Sequence, residues 1–252
     1  MWIKKEGRHS MYIAEDRNGN RIYATKLTSK EEQYFCPVCK SEVRLKVGSV
    51  NEPHFAHVSL EQCLDDFSND MSEWHREWQM LFPERNREVV IEHNGEIHRA
   101  DVLCYGTVIE FQHSPISEIE FWRRNEFYTA AGYKVVWIFD LIDLYSGYDS
   151  SERLSCAGEW SNNWGNGGQY RWKHPWRFLG GFLPQEEKNV DVFFQIAPLG
   201  DEPKREDADC SMEKVTWVNP DYKTTWGYFH TSYGVVNYHE LLKWLETRRK
   251  KR

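Results

Sequence analysis

Residues 97–112 read Ile-His-Arg-Ala-Asp-Val-Leu-Cys-Tyr-Gly-Thr-Val-Ile-Glu-Phe-Gln. The pattern predicts two strands joined by a tight turn at Tyr105-Gly106. A two-residue hairpin loop pairs Cys104 with Thr107, and counting back sets Asp101 across from Glu110. Directly opposed residues of one sheet face have Cβ atoms roughly 4.5–5.5 Å apart, where like charges repel. Such a pair persists most readily with a cation between the carboxylates, although a solvated acidic face on an ordinary hairpin has the same spacing. Gln112 projects from the same face two residues on, with Arg99 opposite it. Val102, Cys104, Ile109 and Phe111 form the other side, which is the expected core face.

Outward from this stretch the pattern continues as a meander. Glu88–His93 turns at Asn94-Gly95, a strong hairpin signal, into Ile97–Cys104, and that strand turns into Val108–Gln112. Pairing about Asn94-Gly95 brings Glu88 near Asp101 as a third carboxylate. Before the meander, Ser72–Phe82 predicts a helix with Trp74, Trp78 and Phe82 at fourfold spacing, ended by Pro83. After it, Ile116–Ala131 predicts a second helix, capped by Ser114 or Ser117 and stopped at Gly132. Lys134–Phe139 is apolar along Val-Val-Trp-Ile-Phe and predicts a buried strand. The order is helix, three antiparallel strands, helix, strand, an α/β arrangement.

Upstream, Met11–Ala14 and Arg21–Ala24 flank Asn18-Gly19-Asn20 and predict a hairpin. Downstream, Ser146–Gln169 is rich in Gly, Ser and Asn and predicts a loop or boundary. Residues 170–252 carry short strands such as Val190–Ile196, a charged and mobile Gly200–Ser211, and a closing helix Tyr238–Arg249. Three regions follow: an N-terminal lobe over 1–68, a core over 69–145 and an α+β C-terminal region over 146–252.

Composition narrows the function class. No apolar run approaches the roughly 18 residues that cross a bilayer, and the charged N-terminus has no secretory core, so a cytoplasmic location without membrane contact is expected. The formal net charge of −7 weighs against a protein that coats nucleic acid through general basicity. Local basic strips at Arg85/Arg87, Arg123/Arg124 and 248–252 leave nucleic acid open as a partner, with a solvated surface the simpler account of each. Six cysteines at 36, 39, 63, 104, 156 and 210 are too unevenly scattered for a disulfide framework. Cys104, Cys156 and Cys210 are expected to be inert.

Cys36-Pro-Val-Cys39 has the spacing of a structural zinc site, in which thiolates two residues apart reach one metal. His54, His57 and Cys63 offer the remaining two ligands. If residues 53–57 are extended, the two histidines face opposite sides, which favours one of them plus Cys63; a compact turn admits both. Zinc here would stabilise a lobe too thin to fold alone.

Taken together, Arg-Ala-Asp-Val (99–102), Ile-Glu-Phe-Gln (109–112), Arg124 and Tyr128 ahead of Gly132-Tyr133, and Val136-Trp137-Ile138 resemble the CoiA-like competence proteins. Cys-Pro-Val-Cys (36–39), Pro-His-Phe-Ala-His (53–57), Ser72 and His75 match in the same order, so the resemblance covers roughly residues 11–140. That family is similar to the PD-(D/E)XK nucleases, which implies a restriction-endonuclease-like core and metal-dependent hydrolysis of phosphodiester bonds, of DNA in the first instance. The resemblance implies Asp101 and Glu110 as ligands of Mg²⁺ or Mn²⁺, helped by the Phe111 carbonyl. Gln112 stands where the superfamily usually has Lys, although CoiA-like proteins commonly have Gln; an amide orients water but adds no positive charge. Met71 stands where the family tends to place Glu, which leaves Glu73 and Glu77 as substitutes. His75 is a candidate hydrogen-bond donor to phosphate or general acid, or a structural histidine between two tryptophans. Arg99, Arg124 and Tyr128 are candidate contacts to the nucleic acid, with a packing and salt-bridge role the alternative for the last two. Against the nuclease stand a nucleic-acid-binding module without catalysis and a zinc-organised protein adaptor.

Overall fold

The computed structural model describes residues 10–48, 52–58, 63, 72–145, 154–162, 165–175, 189–198, 212–218, 226–235 and 238–249. The chain divides into two units, Met1–Val102 and Leu103–Arg252.

The first unit opens with six short strands: β1 (Ser10–Met11), β2 (Ile13–Glu15), β3 (Arg21–Tyr23), β4 (Tyr34–Phe35), β5 (Glu42–Lys46) and β6 (His54–His57). They form one sheet in the order β1-β6-β5-β4-β2-β3. The expected first hairpin is β2–β3, closed by the Asp16 amide donating to the Asn20 carbonyl at 2.9 Å, with Gly19 at φ +79°. Behind the sheet lies a small core of Met11, Ala14, Ala24, Tyr34, Cys36, Val38, Val43 and Phe55. So small a core stabilises a lobe only weakly, and one of its members is a candidate metal ligand.

Helix α1 (Glu73–Met80) starts where Ser72 Oγ accepts the His75 amide at 3.2 Å. It ends at Met80 rather than Phe82: Leu81 keeps α-region backbone (φ −68°, ψ −24°), but the Leu81 and Phe82 amides tighten onto the Trp78 and Gln79 carbonyls ahead of Pro83, which cannot continue the helix. Strands β7 (Arg87–His93) and β8 (Glu96–Cys104) then pair antiparallel, Val89 opposite Ala100 and Val90 opposite Arg99. Their turn holds Asn94 at φ +51° and Gly95 at +83°, the primed geometry that matches strand twist.

Strand β8 runs across the unit boundary. In the second unit it leads through Tyr105 (φ +51°) and Gly106 (+73°), again a two-residue primed turn, into β9 (Thr107–Gln112). Helix α2 (Glu118–Ala130) is capped by Ser117, whose Oγ accepts the Glu120 amide at 3.2 Å; Ser114 is not the cap. At its other end the Gly132 amide donates to the Thr129 carbonyl and the Tyr133 amide to the Tyr128 carbonyl, each at 3.0 Å, with Gly132 at φ +90°. These two bonds satisfy carbonyls that the helix end would orphan. Strand β10 (Lys134–Asp140) then pairs parallel to β9, Ile138 beside Phe111. Its run of five buried residues, Val135–Phe139, suits a strand flanked by parallel neighbours on both edges. The chain order α1, β7–β9, α2, β10 is the one predicted.

The remaining elements are β11 (Leu154–Asn162), β12 (Gly165–Lys173), β13 (Val190–Gln195), β14 (Met212–Val218), β15 (Trp226–Val235) and α3 (Tyr238–Arg249). Sheet neighbours run β11-β12-β15-β14-β13-β10-β9-β8. The expectation of a loop over Ser146–Gln169 is corrected here. Residues 154–162 form a strand paired antiparallel with β12, and buried Leu154, Tyr170 and Trp172 anchor that pair. Ladder hydrogen bonds and those anchors outweigh the poor strand preference of Gly and Asn, which is context-dependent. Gly200–Ser211 lies outside the described residues. Among the described residues no helix is long and apolar enough to cross a membrane.

Gly132→Ala tests the helix stop in isolation, since a Cβ there meets no atom within 4 Å and only the positive φ is strained. A loss of about 1 kcal/mol is expected in denaturant unfolding, with no change in secondary structure by circular dichroism.

Candidate metal centre and acidic site

The turn after β4 gathers the first candidate site. The Cys36 amide donates to the Ser41 carbonyl at 2.8 Å and the Lys40 amide to the Cys36 carbonyl at 3.0 Å, with Lys40 at φ +58°. The Val38 amide points at Cys36 Sγ, 3.4 Å away. The Cys36, Cys39 and Cys63 sulfurs and one ring nitrogen of His57 all lie within 4.8 Å of one another. Cys39 Sγ stands 3.3 Å from His57 Nε2. Residues 54–57 are a strand, so the extended alternative holds and the two histidines part: His54 leaves the cluster and its Nδ1 sits 2.8 Å from the Glu52 carbonyl. A hydrogen bond from Cys63, helped by His57 and opposed by burial, pushes the Cys36 thiol down to about 3, favouring the thiolate that binds metals. Cys36 in turn pushes His57 up to about 8, against burial. Three sulfurs and one imidazole nitrogen are a donor set that fits tetrahedral zinc, with no open position for catalysis.

The second candidate site is built on the meander. In the first unit, Asp101 Oδ1 lies 3.1 Å from His75 Nε2 on α1, with the Asp101 side chain 17% exposed. Gln79, one turn beyond His75, reaches the Asp101 carbonyl at 3.4 Å and His75 Nε2 at 3.3 Å. Gln79 was not singled out from sequence; its position four residues after His75 is the signal that marks it. Glu73 and Glu77 are exposed, each two residues from buried His75 and so on other sides of the helix. Met71 lies outside the described residues. Glu88 is buried, and both its carboxylate oxygens accept backbone amides, from Tyr12 and Ile13, at 3.0 Å each. Burial pushes the Glu88 carboxyl up, while Arg99 and the two amides hold it down. Arg99 is itself buried, its guanidinium 3.8 Å from Glu88.

In the second unit, Glu110 is 1% exposed and accepts from Arg124 Nη1 at 2.9 Å. Arg124 also donates through Nε to Glu120 at 2.8 Å and lies over the Trp137 ring. Burial works against its charge, but Glu110 and Glu120 outweigh it and hold its pKa above the ordinary guanidinium value. Gln112 is buried and donates to the Ser114 carbonyl at 2.6 Å and to Ser114 Oγ at 3.2 Å. The face carrying Glu110 and Gln112 is therefore not a solvated acidic face. Arg124 and Tyr128 are 2% and 0% exposed, so neither presents a surface to a nucleic acid strand in this arrangement. Arg124 makes the salt bridge that was the alternative account of it.

Two experiments follow from this geometry. Elemental analysis should find one zinc per chain, lost on Cys36→Ser, Cys39→Ser, His57→Ala or Cys63→Ser and retained on His54→Ala. Arg124→Ala should destabilise the chain by about 3–5 kcal/mol in denaturant unfolding, because Glu110 stays buried without its counter-charge.

Comparison with known proteins agrees with these features. Residues 18–65 match the family model of the competence protein CoiA N-terminal domain, and residues 77–157 match that of the CoiA nuclease-like domain. The Competence protein CoiA of Bacillus subtilis (strain 168) is 29% identical over 136 residues, which are 50% of this chain and 36% of that protein. The match thus spans about a third of that relative's length. No solved structure matches. With both domain models met in order over about half its length, the chain belongs to the CoiA-like competence protein family.

Proposed function

We propose that this protein is a divalent-metal-dependent nuclease that hydrolyses phosphodiester bonds of DNA on a core of the PD-(D/E)XK type. Membership of a family with a nuclease-like domain over residues 77–157 supports this. The observation that carries most weight is the two-residue primed turn at Tyr105-Gly106, the loop length from which counting along a hairpin sets Asp101 opposite Glu110 in this proposal. In this proposal Asp101 and Glu110 hold Mg²⁺ or Mn²⁺, hard ions that prefer oxygen ligands. When bound, such an ion lowers the pKa of a coordinated water and offsets charge on the phosphate oxygens. His75 holds the Asp101 carboxylate in one orientation from α1 and is a positioning residue rather than a phosphate contact, since it is 2% exposed. Gln112 orients water without adding charge. The DNA would be incoming or foreign DNA, and the protein would act in the cytoplasm.

A second role, binding nucleic acid without cleaving it, is favoured by one observation: Arg124 already neutralises Glu110 at 2.9 Å. The two functions separate in one experiment. The zinc-loaded chain is incubated with single- and double-stranded DNA and Mn²⁺, beside Asp101→Asn and Glu110→Gln. Cleavage that falls about 100-fold or more in both variants is expected, equivalent to roughly 2.7 kcal/mol of transition-state stabilisation. DNA binding without cleavage in all three chains would establish the binding module instead.

A further inference from the structure

Glu88 is a residue that the nuclease proposal does not use, and its placement is unusual in three respects. It is a non-glycine residue at φ +43° inside strand β7. Left-handed backbone in a strand interior persists only where surrounding contacts impose it. It is 2% exposed although ionisable. Its two oxygens each accept one of two consecutive amides, Tyr12 and Ile13, which lie 76 and 75 residues away in sequence. The ladder pairs Arg87 with Val102 and Val89 with Ala100, which leaves Glu88 level with Asp101.

We propose that Glu88 is a positioning residue: it ties strand β2 of the cysteine–histidine lobe to the strand pair carrying Asp101, so that zinc occupancy and order around Asp101 are coupled. The consequence for the divalent ion at Asp101 rests on the nuclease proposal; the tie itself does not. A buried carboxylate needs donors, and Tyr12 and Ile13 supply two that exist in the right place only while the lobe is folded. The lobe's core is small and includes Cys36, with Cys63 packed against it, so its folding depends on the cluster being held together. Other contacts join the same segments: Arg21 donates to the Arg87 carbonyl, and the Arg76 guanidinium lies 5.1 Å from the centre of the Tyr12 ring. Those involve partly exposed groups, whereas the Glu88 bonds are buried and charge-assisted. When the two amides leave, Glu88 keeps Arg99 at 3.8 Å but loses both of its short bonds, and the start of β7 must rearrange next to Asp101.

The test is hydrogen exchange on the full chain, read at Tyr12, Ile13 and residues 87–102, with Mn²⁺ binding followed by electron paramagnetic resonance. In the zinc-loaded native chain both amides are expected to be protected. Withdrawing zinc with a chelator should speed exchange at both amides and in residues 87–102 by about tenfold or more, and weaken Mn²⁺ binding. Glu88→Gln, with zinc still bound, should speed the same amides and bind Mn²⁺ about as weakly as the zinc-free native chain. Chelation that opens the lobe yet leaves exchange at 87–102 unchanged would overturn the coupling, and so would native protection of Tyr12 and Ile13 in Glu88→Gln. If Glu88→Gln does not fold, the chelation series on the native chain decides. Absence of Mn²⁺ binding in every sample would sink the nuclease proposal, while the exchange data would still decide the tie.

Discussion

A carboxylate taken out of water is tolerated only where donors or cations meet it. Three acids on successive strands of this chain satisfy that constraint in three ways. Glu88 is met by two backbone amides and Arg99, Asp101 by His75, and Glu110 by Arg124. Each solution fixes the element that supplies it. The Ser72 cap starts the helix that carries His75, and the Ser117 cap and Gly132 stop frame the helix that carries Arg124.

The cysteine–histidine lobe is organised differently. Its sheet has strands of two to five residues, and its core is a handful of side chains. A metal cluster in such a lobe is part of the core rather than an ornament on it, since Cys36 is 1% exposed and packs among Tyr34, Val38 and Phe55. The same residues therefore contribute to packing and form a donor set that fits zinc. Cys36, Cys39, His57 and Cys63 all fall within residues 18–65, the segment that matches the family's N-terminal domain.

Much of the local architecture was legible in the residues. Asn94-Gly95 and Tyr105-Gly106 announce two-residue turns, and both carry the positive φ pair that such turns require. Ser72 and Gly132 mark helix ends, and the continuous apolar run at 135–139 marks a buried strand. Other features were not legible. The glycine-rich segment after Leu154 pairs as a hairpin, Asn162 opposite Gly165, and its β12 side is held by a strand distant in sequence, Trp172 opposite Gly227. Arg124, a residue type that commonly meets phosphate, instead meets a buried carboxylate fourteen residues before it.

Sequence alone determined the order of elements from residue 72 to 140 and the turn types, because these depend on residues within a few positions of one another, and it named the pool of five zinc-ligand candidates. Tertiary structure decided which histidine joins the cysteines, since that follows from β6 being extended within a sheet. It also decided the partners of Glu88, Asp101 and Glu110. Those partners stand 11 to 76 residues away along the chain, at separations where local preference is silent and packing alone selects the contact.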